Sequence, residues 1–244
     1  MPDPAPSGIR LDQATVRLGG RVVLDGLRLS LSERRIGILG RNGSGKTTLL
    51  RLIAGLIAPD QGRVTVEGAD PFADRKAALG NLGILFQNPD HQILFPTVEE
   101  ELAFGLVQQG LPQREALARA HDLLAGEGRS HWAQAPVSTL SQGQRHYLCL
   151  LAVLMMQPRT ILLDEPFAGL DLPTQARLSR RLAALPQRLV TITHDPAALE
   201  GADRVLWLEA GRIALDGPPA EVLPAFIAEM ERIGACDADA DLAG

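Results

Sequence analysis

Gly40-Arg41-Asn42-Gly43-Ser44-Gly45-Lys46-Thr47 decides how the rest of this sequence is read. These eight positions keep the full spacing of a phosphate-binding P-loop, G-x-x-x-x-G-K-T. The apolar run Arg35–Leu39 leads into the glycines and reads as a strand, and Lys46–Ala54 reads as a helix ended by Gly55. Strand, glycine loop and helix start form the context this motif requires. Three glycines let the backbone curl until its N–H groups point at phosphate oxygens, and the helix N-terminus adds the positive end of its dipole. Lys46 is placed to reach the β- and γ-phosphates, and the Thr47 hydroxyl to bind Mg²⁺. Gly40, Arg41, Asn42, Gly43, Ser44, Gly45, Lys46, Thr47 and Thr48 are therefore the candidates for holding a nucleotide. A chance lysine beside a glycine-rich turn would not carry this context.

Downstream, Thr160-Ile161-Leu162-Leu163-Asp164-Glu165 reads as a buried strand ending in two carboxylates. Alone this is a common strand and acidic turn. Behind a P-loop it gains chemistry. Asp164 is expected to orient the magnesium shell and Glu165 to polarise an attacking water. His194 ends the next strand, Leu189–Ile192, and Asp195 and Pro196 suit the cap and first position of the turn that follows. A lone histidine is usually structural. On the strand after the carboxylate pair, its ring is expected near the γ-phosphate.

The remaining pattern is strand-rich at both ends and helical between. Ile9–Val16 and Val22–Leu31 alternate around Gly19-Gly20 like an antiparallel hairpin. Arg63–Val66 and Gly83–Phe86 are further strand candidates. Val98–Leu106, Pro112–Leu124 and Ser141–Met155 read as helices, followed by the helix Pro173–Leu185 between two strands. Arg204–Leu208 and Arg212–Leu215 form a hairpin at Ala210-Gly211, and a last helix runs from Pro219 to Arg232. This alternation predicts an α/β fold: a P-loop NTPase core with a mostly parallel sheet, an antiparallel β subdomain, and an inserted α-helical subdomain. The whole of 1–244 is expected to be one domain, with 88–156 as the helical insertion. Segments 1–8 and 235–244 read as disordered tails, the first rich in proline and the second small and acidic. Asp237, Asp239 and Asp241 alternate like the start of a calcium loop, but the glycine and glutamate such a loop needs are missing.

Composition narrows the function. The chain has 244 residues, a formal net charge of −5 and 45% apolar residues, which suits a sizeable core and no broad basic surface for nucleic acid. The longest apolar run, Tyr147–Met156, falls short of the ~20 residues of a membrane-spanning helix. No signal peptide is visible. Cys149 and Cys236 show no metal spacing and fit a reducing cytoplasm.

Two further segments carry a family resemblance. Leu140-Ser141-Gln142-Gly143-Gln144 resembles the signature motif of ABC ATPases. Gln87 sits where their Q-loop begins, and Ala168-Gly169-Leu170-Asp171 resembles their D-loop. The order P-loop, Q-loop, signature, carboxylate pair, D-loop and histidine is the family's own, and it covers nearly the whole chain. The resemblance implies that Ser141, Gly143 and Gln144 meet the γ-phosphate held by a partner's P-loop, with Asp171 close by. Two protomers, a homodimer or paralogous pair, would then enclose ATP head to tail. It also implies that Gln87 and Asp164 complete the Mg²⁺ shell with Thr47, and that Glu165, His194 and Gln87 serve catalysis. Two positions depart from the pattern. Gln142 replaces the usual first glycine of the signature, and Leu18 stands where an aromatic often stacks on adenine, so it can give only an apolar contact.

The stretch from Gln87 to Gly105, beginning Gln87-Asn88-Pro89-Asp90-His91-Gln92, is similar to the segment after the Q-loop in energy-coupling-factor importers of cobalt, nickel and biotin. That resemblance implies a transmembrane coupling protein and a small substrate-binding membrane protein as partners. It places the chain in the cytoplasm, peripheral on the inner face of the cell membrane. Biotin is the first expected cargo, and cobalt or nickel the second. Glu99, Glu100 and Glu101 read equally as a contact for a basic membrane partner and as acids favoured at a helix N-terminus. Three rival readings are a soluble ABC ATPase acting on nucleic acid, another ABC transporter class, and an ATP sensor without hydrolysis. The chain has no coiled-coil insertion, zinc module or second cassette that the first would carry, and all hydrolytic positions are filled, which leaves the last unsupported.

Overall fold

Parallel strands covered on both faces need continuous apolar runs, and this chain supplies them. A computed structural model describes residues 8–235. Its larger sheet has the order β5-β6-β7-β3-β8-β9. The strands are β3 (Arg35–Leu39), β5 (Leu82–Leu85), β6 (Thr160–Asp164), β7 (Arg188–Thr193), β8 (Arg204–Glu209) and β9 (Arg212–Gly217). All neighbours are parallel except β8 and β9. Ile161, Leu162 and Leu163 are each fully buried, which three successive strand residues can be only if both faces are covered.

A second sheet, order β2-β1-β4, is antiparallel and built from β1 (Ile9–Leu18), β2 (Arg21–Leu31) and β4 (Gln61–Val66). Gly19 and Gly20, with φ of 57° and 80°, turn the β1–β2 hairpin with the left-handed pair that matches strand twist. Helix α1 (Lys46–Ile53) lies between the two sheets, where Leu49, Leu50, Leu52 and Ile53 bury against side chains of both. The helix that carries the P-loop is thus fixed by the central core. Arg188 at the start of β7 ties the sheets further. Its guanidinium bonds Glu67, whose carboxylate also accepts from Thr160 Oγ1 at 2.7 Å and the Gly8 N–H at 3.3 Å.

Between β5 and β6 the chain builds α3 (Val98–Gln108), α4 (Gln113–Gly126) and α5 (Gln142–Met155). Helix α5 joins two cores. Leu148 and Leu151 pack with α3, α4 and Trp132, while Cys149, Leu150 and Val153 pack on β5, β6 and α6 (Leu172–Ala183). The terminal helix α7 (Pro219–Ala235) covers the opposite edge through Val222, Leu223 and Phe226. Among the described residues, no helix is long and apolar enough to cross a membrane.

Element bounds differ from the sequence reading by at most three residues, the largest difference being the end of α7, and one helix was missed: α2 (Arg75–Asn81). The expected tails each reach one residue too far into the fold. Gly8 is buried and bonded to Glu67, because its left-handed backbone (φ 121°) sits against Leu31, and Ala235 closes α7. The rest of both expected tails, with Cys236 and the three tail aspartates, lies outside the described residues.

Candidate nucleotide site

The P-loop runs from the end of β3 to α1, and two of its glycines are demanded by geometry. A Cβ on Gly40 would lie 2.3 Å from the Leu208 carbonyl oxygen and 2.6 Å from Ser44 Oγ. Gly45 stands as the N-cap of α1 with φ 105°, a conformation L side chains rarely adopt, and a Cβ there would lie 3.0 Å from the Val23 carbonyl oxygen. The hairpin turns hold this loop from outside, since the Gly211 N–H donates to the Ser44 carbonyl at 3.0 Å. No side chain caps the first turn of α1. Its free N–H groups and the buried, unpartnered Ser44 Oγ form a donor-rich concavity suited to an anion.

A cleft of about 520 Å³ opens beside the loop. It brings together Asn42, Gly43, Gly45, Lys46, Thr47, Thr48, Gln87, Asp164, Glu165 and His194, residues drawn from the ends of the four parallel strands β3, β5, β6 and β7. Ligands of open α/β sheets bind at such carboxyl ends. Lys46 is buried and donates to the carbonyl oxygens of Gly40 at 2.6 Å and Arg41 at 3.0 Å. Burial pulls the Lys46 ammonium below the ordinary lysine range, against the attraction of Glu165, Asp164 and Glu209. Asp164 is pushed up by burial first and by Glu165 second, with Lys46 and Arg51 opposing. Desolvation outweighs ion pairing for both groups.

Glu165 follows β6 with φ 46°. Its Oε1 lies 2.8 Å from His194 Nδ1, and its Oε2 accepts from Thr193 Oγ1 at 2.8 Å. Thr193 was not singled out in the sequence, where it is one more β-branched residue of a strand. Asp195 accepts the Ala197 N–H at 3.0 Å and starts the 3₁₀ turn Pro196–Leu199 as expected. Val23 lines the cleft and Leu18 does not: Leu18 sits half-exposed at the end of β1, beyond the residue that the hairpin turns toward the loop.

Ser141, Gly143 and Gln144 stand apart from this cleft. They border a separate cavity of about 380 Å³ between α5 and α6. Ser141 and Gln144 form a full capping box, with the Ser141 N–H donating to Gln144 Oε1 at 2.8 Å and the Gln144 N–H to Ser141 Oγ at 3.3 Å. Gly143 lets the two helices approach, since a Cβ would lie 2.9 Å from Thr174 Cγ2. Gln142 places its amide nitrogen 3.2 Å from where a Gly169 Cβ would stand, so it reaches over the loop that Asp171 closes by capping α6 through the Thr174 N–H at 2.9 Å. Arg145 pairs with Asp90 at 2.9 Å, joining the signature helix to the segment after Gln87.

The glycine-rich loop with its carboxylates and the capped start of α5 thus lie on separate faces of one fold, and that fold has known relatives. The family model described as ABC transporter matches residues 24–168, more than half of the sequence. The chain belongs to the ABC transporter family. It is an ATP-binding subunit, an ATPase coupled to transport, and its α/β fold is that of the family's ATPases. It is 56% identical over 231 residues to the biotin transport ATP-binding protein BioM of Rhodobacter capsulatus, across 93% of this chain and 99% of that one. A second BioM, from Rhizobium etli, is 41% identical over 218 residues, 89% of this chain and 97% of that one. Among solved structures, cbiO1 of Clostridium perfringens, part of the ABC transporter complex cbiONQ, superposes with a TM-score of 0.77 at 29% identity, covering 94% of each chain. The kinship with energy-coupling-factor ATPases expected from residues 87–105 therefore holds.

Glu99, Glu100 and Glu101 are all engaged within the chain. Glu99 meets His121 Nε2 at 2.6 Å and Glu100 accepts from Thr97 Oγ1 at 2.5 Å. Buried Glu101 accepts the Leu94 and Phe95 N–H groups at 2.8 and 2.9 Å. These bonds favour the structural reading of the acids. They shape the loop that leaves Leu94 exposed.

Proposed function

We propose that this chain is the ATP-hydrolysing subunit of an energy-coupling-factor importer of biotin, working in the cytoplasm on the inner face of the cell membrane. The observation that carries the cargo is the 56% identity to a biotin transport ATP-binding protein along 99% of its length. A transmembrane coupling protein and a biotin-binding membrane protein are its partners, and the exposed Leu94 segment is the docking surface for the first of them.

ATP phosphates sit in the cradle from Gly40 to Thr48, with Lys46 exchanging its carbonyl partners for phosphate oxygens. The Thr47 hydroxyl, the Gln87 amide and the Asp164 carboxylate, all lining one cleft, are hard oxygen donors of the kind Mg²⁺ takes together with phosphates. Bound there, Mg²⁺ neutralises charge on the β- and γ-phosphates. Glu165 takes a proton from the attacking water and His194 steadies charge on the γ-phosphate. The signature residues Ser141, Gly143 and Gln144 lie on another face of the same chain and act on the ATP of a second protomer, with Asp171 at that contact. Segment 88–156 moves as one helical unit when the two protomers close, and the membrane partner rides on it.

The test is to express the chain with the membrane proteins encoded beside it and to measure uptake of labelled biotin and cobalt into vesicles. ATP-dependent biotin uptake supports the reading. Cobalt uptake without biotin uptake overturns the cargo, and no uptake of either overturns the importer.

A further inference from the structure

Glu165 is held by more than the histidine beside it. Thr193 is the last residue of β7 and is 3% exposed. Its Oγ1 accepts the Asp195 N–H at 3.0 Å and lies 2.8 Å from Glu165 Oε2. A hydroxyl has one proton, and an ionised carboxylate can only accept. With the Asp195 N–H occupying the oxygen from one side, the Thr193 proton is left to point at Glu165. The threonine's direction is thus set by backbone, not by a free rotor.

The two tethers on Glu165 differ in strength. His194, on Oε1, has a side chain 59% exposed, so its bond competes with water. The bond from Thr193 lies under a buried side chain, where the lower dielectric strengthens it. Glu165 also leaves the backbone from a left-handed residue, φ 46°, anchored by its N–H on the Ile192 carbonyl at 2.8 Å. The loop Pro166–Gly169 turns away directly afterwards. The carboxylate therefore has one rigid lateral support, and the strand end that provides it also carries His194.

We propose that Thr193 is a positioning residue for ATP hydrolysis: its hydroxyl fixes the Glu165 carboxylate in the direction from which it takes the proton of the attacking water. This rests on the base role proposed for Glu165. In that step the water oxygen bonds the γ-phosphorus, the bond to the bridging oxygen of the leaving diphosphate breaks, and the water proton passes to Glu165. Thr193 exchanges no proton and touches no substrate.

The experiment is steady-state ATP hydrolysis by the purified transporter complex carrying Thr193→Val, Thr193→Ser or Thr193→Ala, each also combined with Glu165→Gln, with ATP affinity measured by equilibrium titration. Thr193→Val keeps the shape and removes the donor. It should lower kcat about 10- to 100-fold, the loss expected of a base misplaced by an ångström, and leave KM and ATP affinity within about twofold. Thr193→Ser should hold kcat within about threefold of the parent. On the Glu165→Gln background, Thr193→Val should add no further loss, since residues that act as a unit are not additive. Should Thr193→Val fail to fold, the contrast between Ser and Ala carries the same test. Unchanged kcat in the hydroxyl-free variant, equal damage by Ser, or a full further loss in the double variant would each overturn the proposal. Normal turnover by Glu165→Gln alone would instead sink the reading of Glu165 on which it rests.

Discussion

Gly40→Ala and Gly80→Ala make the same chemical change and should have opposite signs. At Gly40 the new methyl would stand 2.3 Å from the Leu208 carbonyl oxygen, about 1.1 Å inside ordinary contact, and 2.6 Å from Ser44 Oγ. Neither side can yield freely. Leu208 lies in β8 and is fully buried, and Ser44 is held through its carbonyl by the Gly211 N–H. The loop itself must shift by roughly an ångström, an overpacking cost of about 1–3 kcal/mol. For a chain of this size that lowers Tm by about 2–12 °C. The larger effect falls on the phosphate cradle, where a displacement of this size should weaken ATP binding or turnover about 100-fold. At Gly80, inside α2, nothing lies within 4 Å and φ is not positive. Alanine there should be neutral or stabilise by about 0.5–1 kcal/mol through helix propensity. Thermal melts and fluorescent-nucleotide titrations of the two variants read both numbers. Parental ATP affinity in Gly40→Ala, or a destabilised Gly80→Ala, would refute the steric argument.

Removing Arg188 should leave Glu67 buried without its cationic partner, so Arg188→Ala is expected to cost about 3–5 kcal/mol in urea unfolding. Asp164 is raised in the folded protein by burial and by Glu165. A raised carboxyl contributes stability that is full below its unfolded value, about pH 3.9, and is lost as pH rises through the folded value. Asp164→Asn should therefore raise the Tm of the nucleotide-free protein at pH 7, and melts taken near pH 4 should show that gain gone. Ser141→Ala removes one half of the capping box and should cost about 1 kcal/mol of stability, seen as a Tm lower by about 2–4 °C. Burial pushes the Cys149 thiol up to about 12. In a Cys236→Ser background, iodoacetamide at pH 8 should label Cys149 only after unfolding, as followed by mass spectrometry.

Much of the site was legible in the sequence because its chemistry is local. The glycine loop, Lys46, Thr47 and the carboxylate pair each sit on a strand end whose apolar run announces it, and the structure gathers them in one cleft. What escaped depends on contacts between distant segments. Val23 rather than Leu18 reaches the cleft because the β1–β2 hairpin folds over the loop, which no local period encodes. Thr193 gains its bond to Glu165 only once β6 and β7 pair in register, Asp164 opposite Ile192. Helix α2 was missed for a different reason. It is short, it contains Gly80 and Asn81, and its one clear signal is the Asp74 cap on the Ala77 N–H. The assignment of β4 to the antiparallel sheet was equally hidden, since it follows α1 where a parallel strand would be expected, and its pairing with β1 is settled by buried Val64 and Val66.

In the proposed mechanism ATP is split in the cleft beside Lys46 and Glu165, between two protomers. Phosphate release and oligomeric state, measured together on the parent and Glu165→Gln with MgATP, test it most directly. Glu165→Gln should bind ATP with parental affinity, release phosphate at least about 100 times more slowly, and accumulate as a closed dimer of ATPase subunits. Glu165→Gln releasing phosphate at the parental rate, with no ATP-dependent dimer, would contradict it.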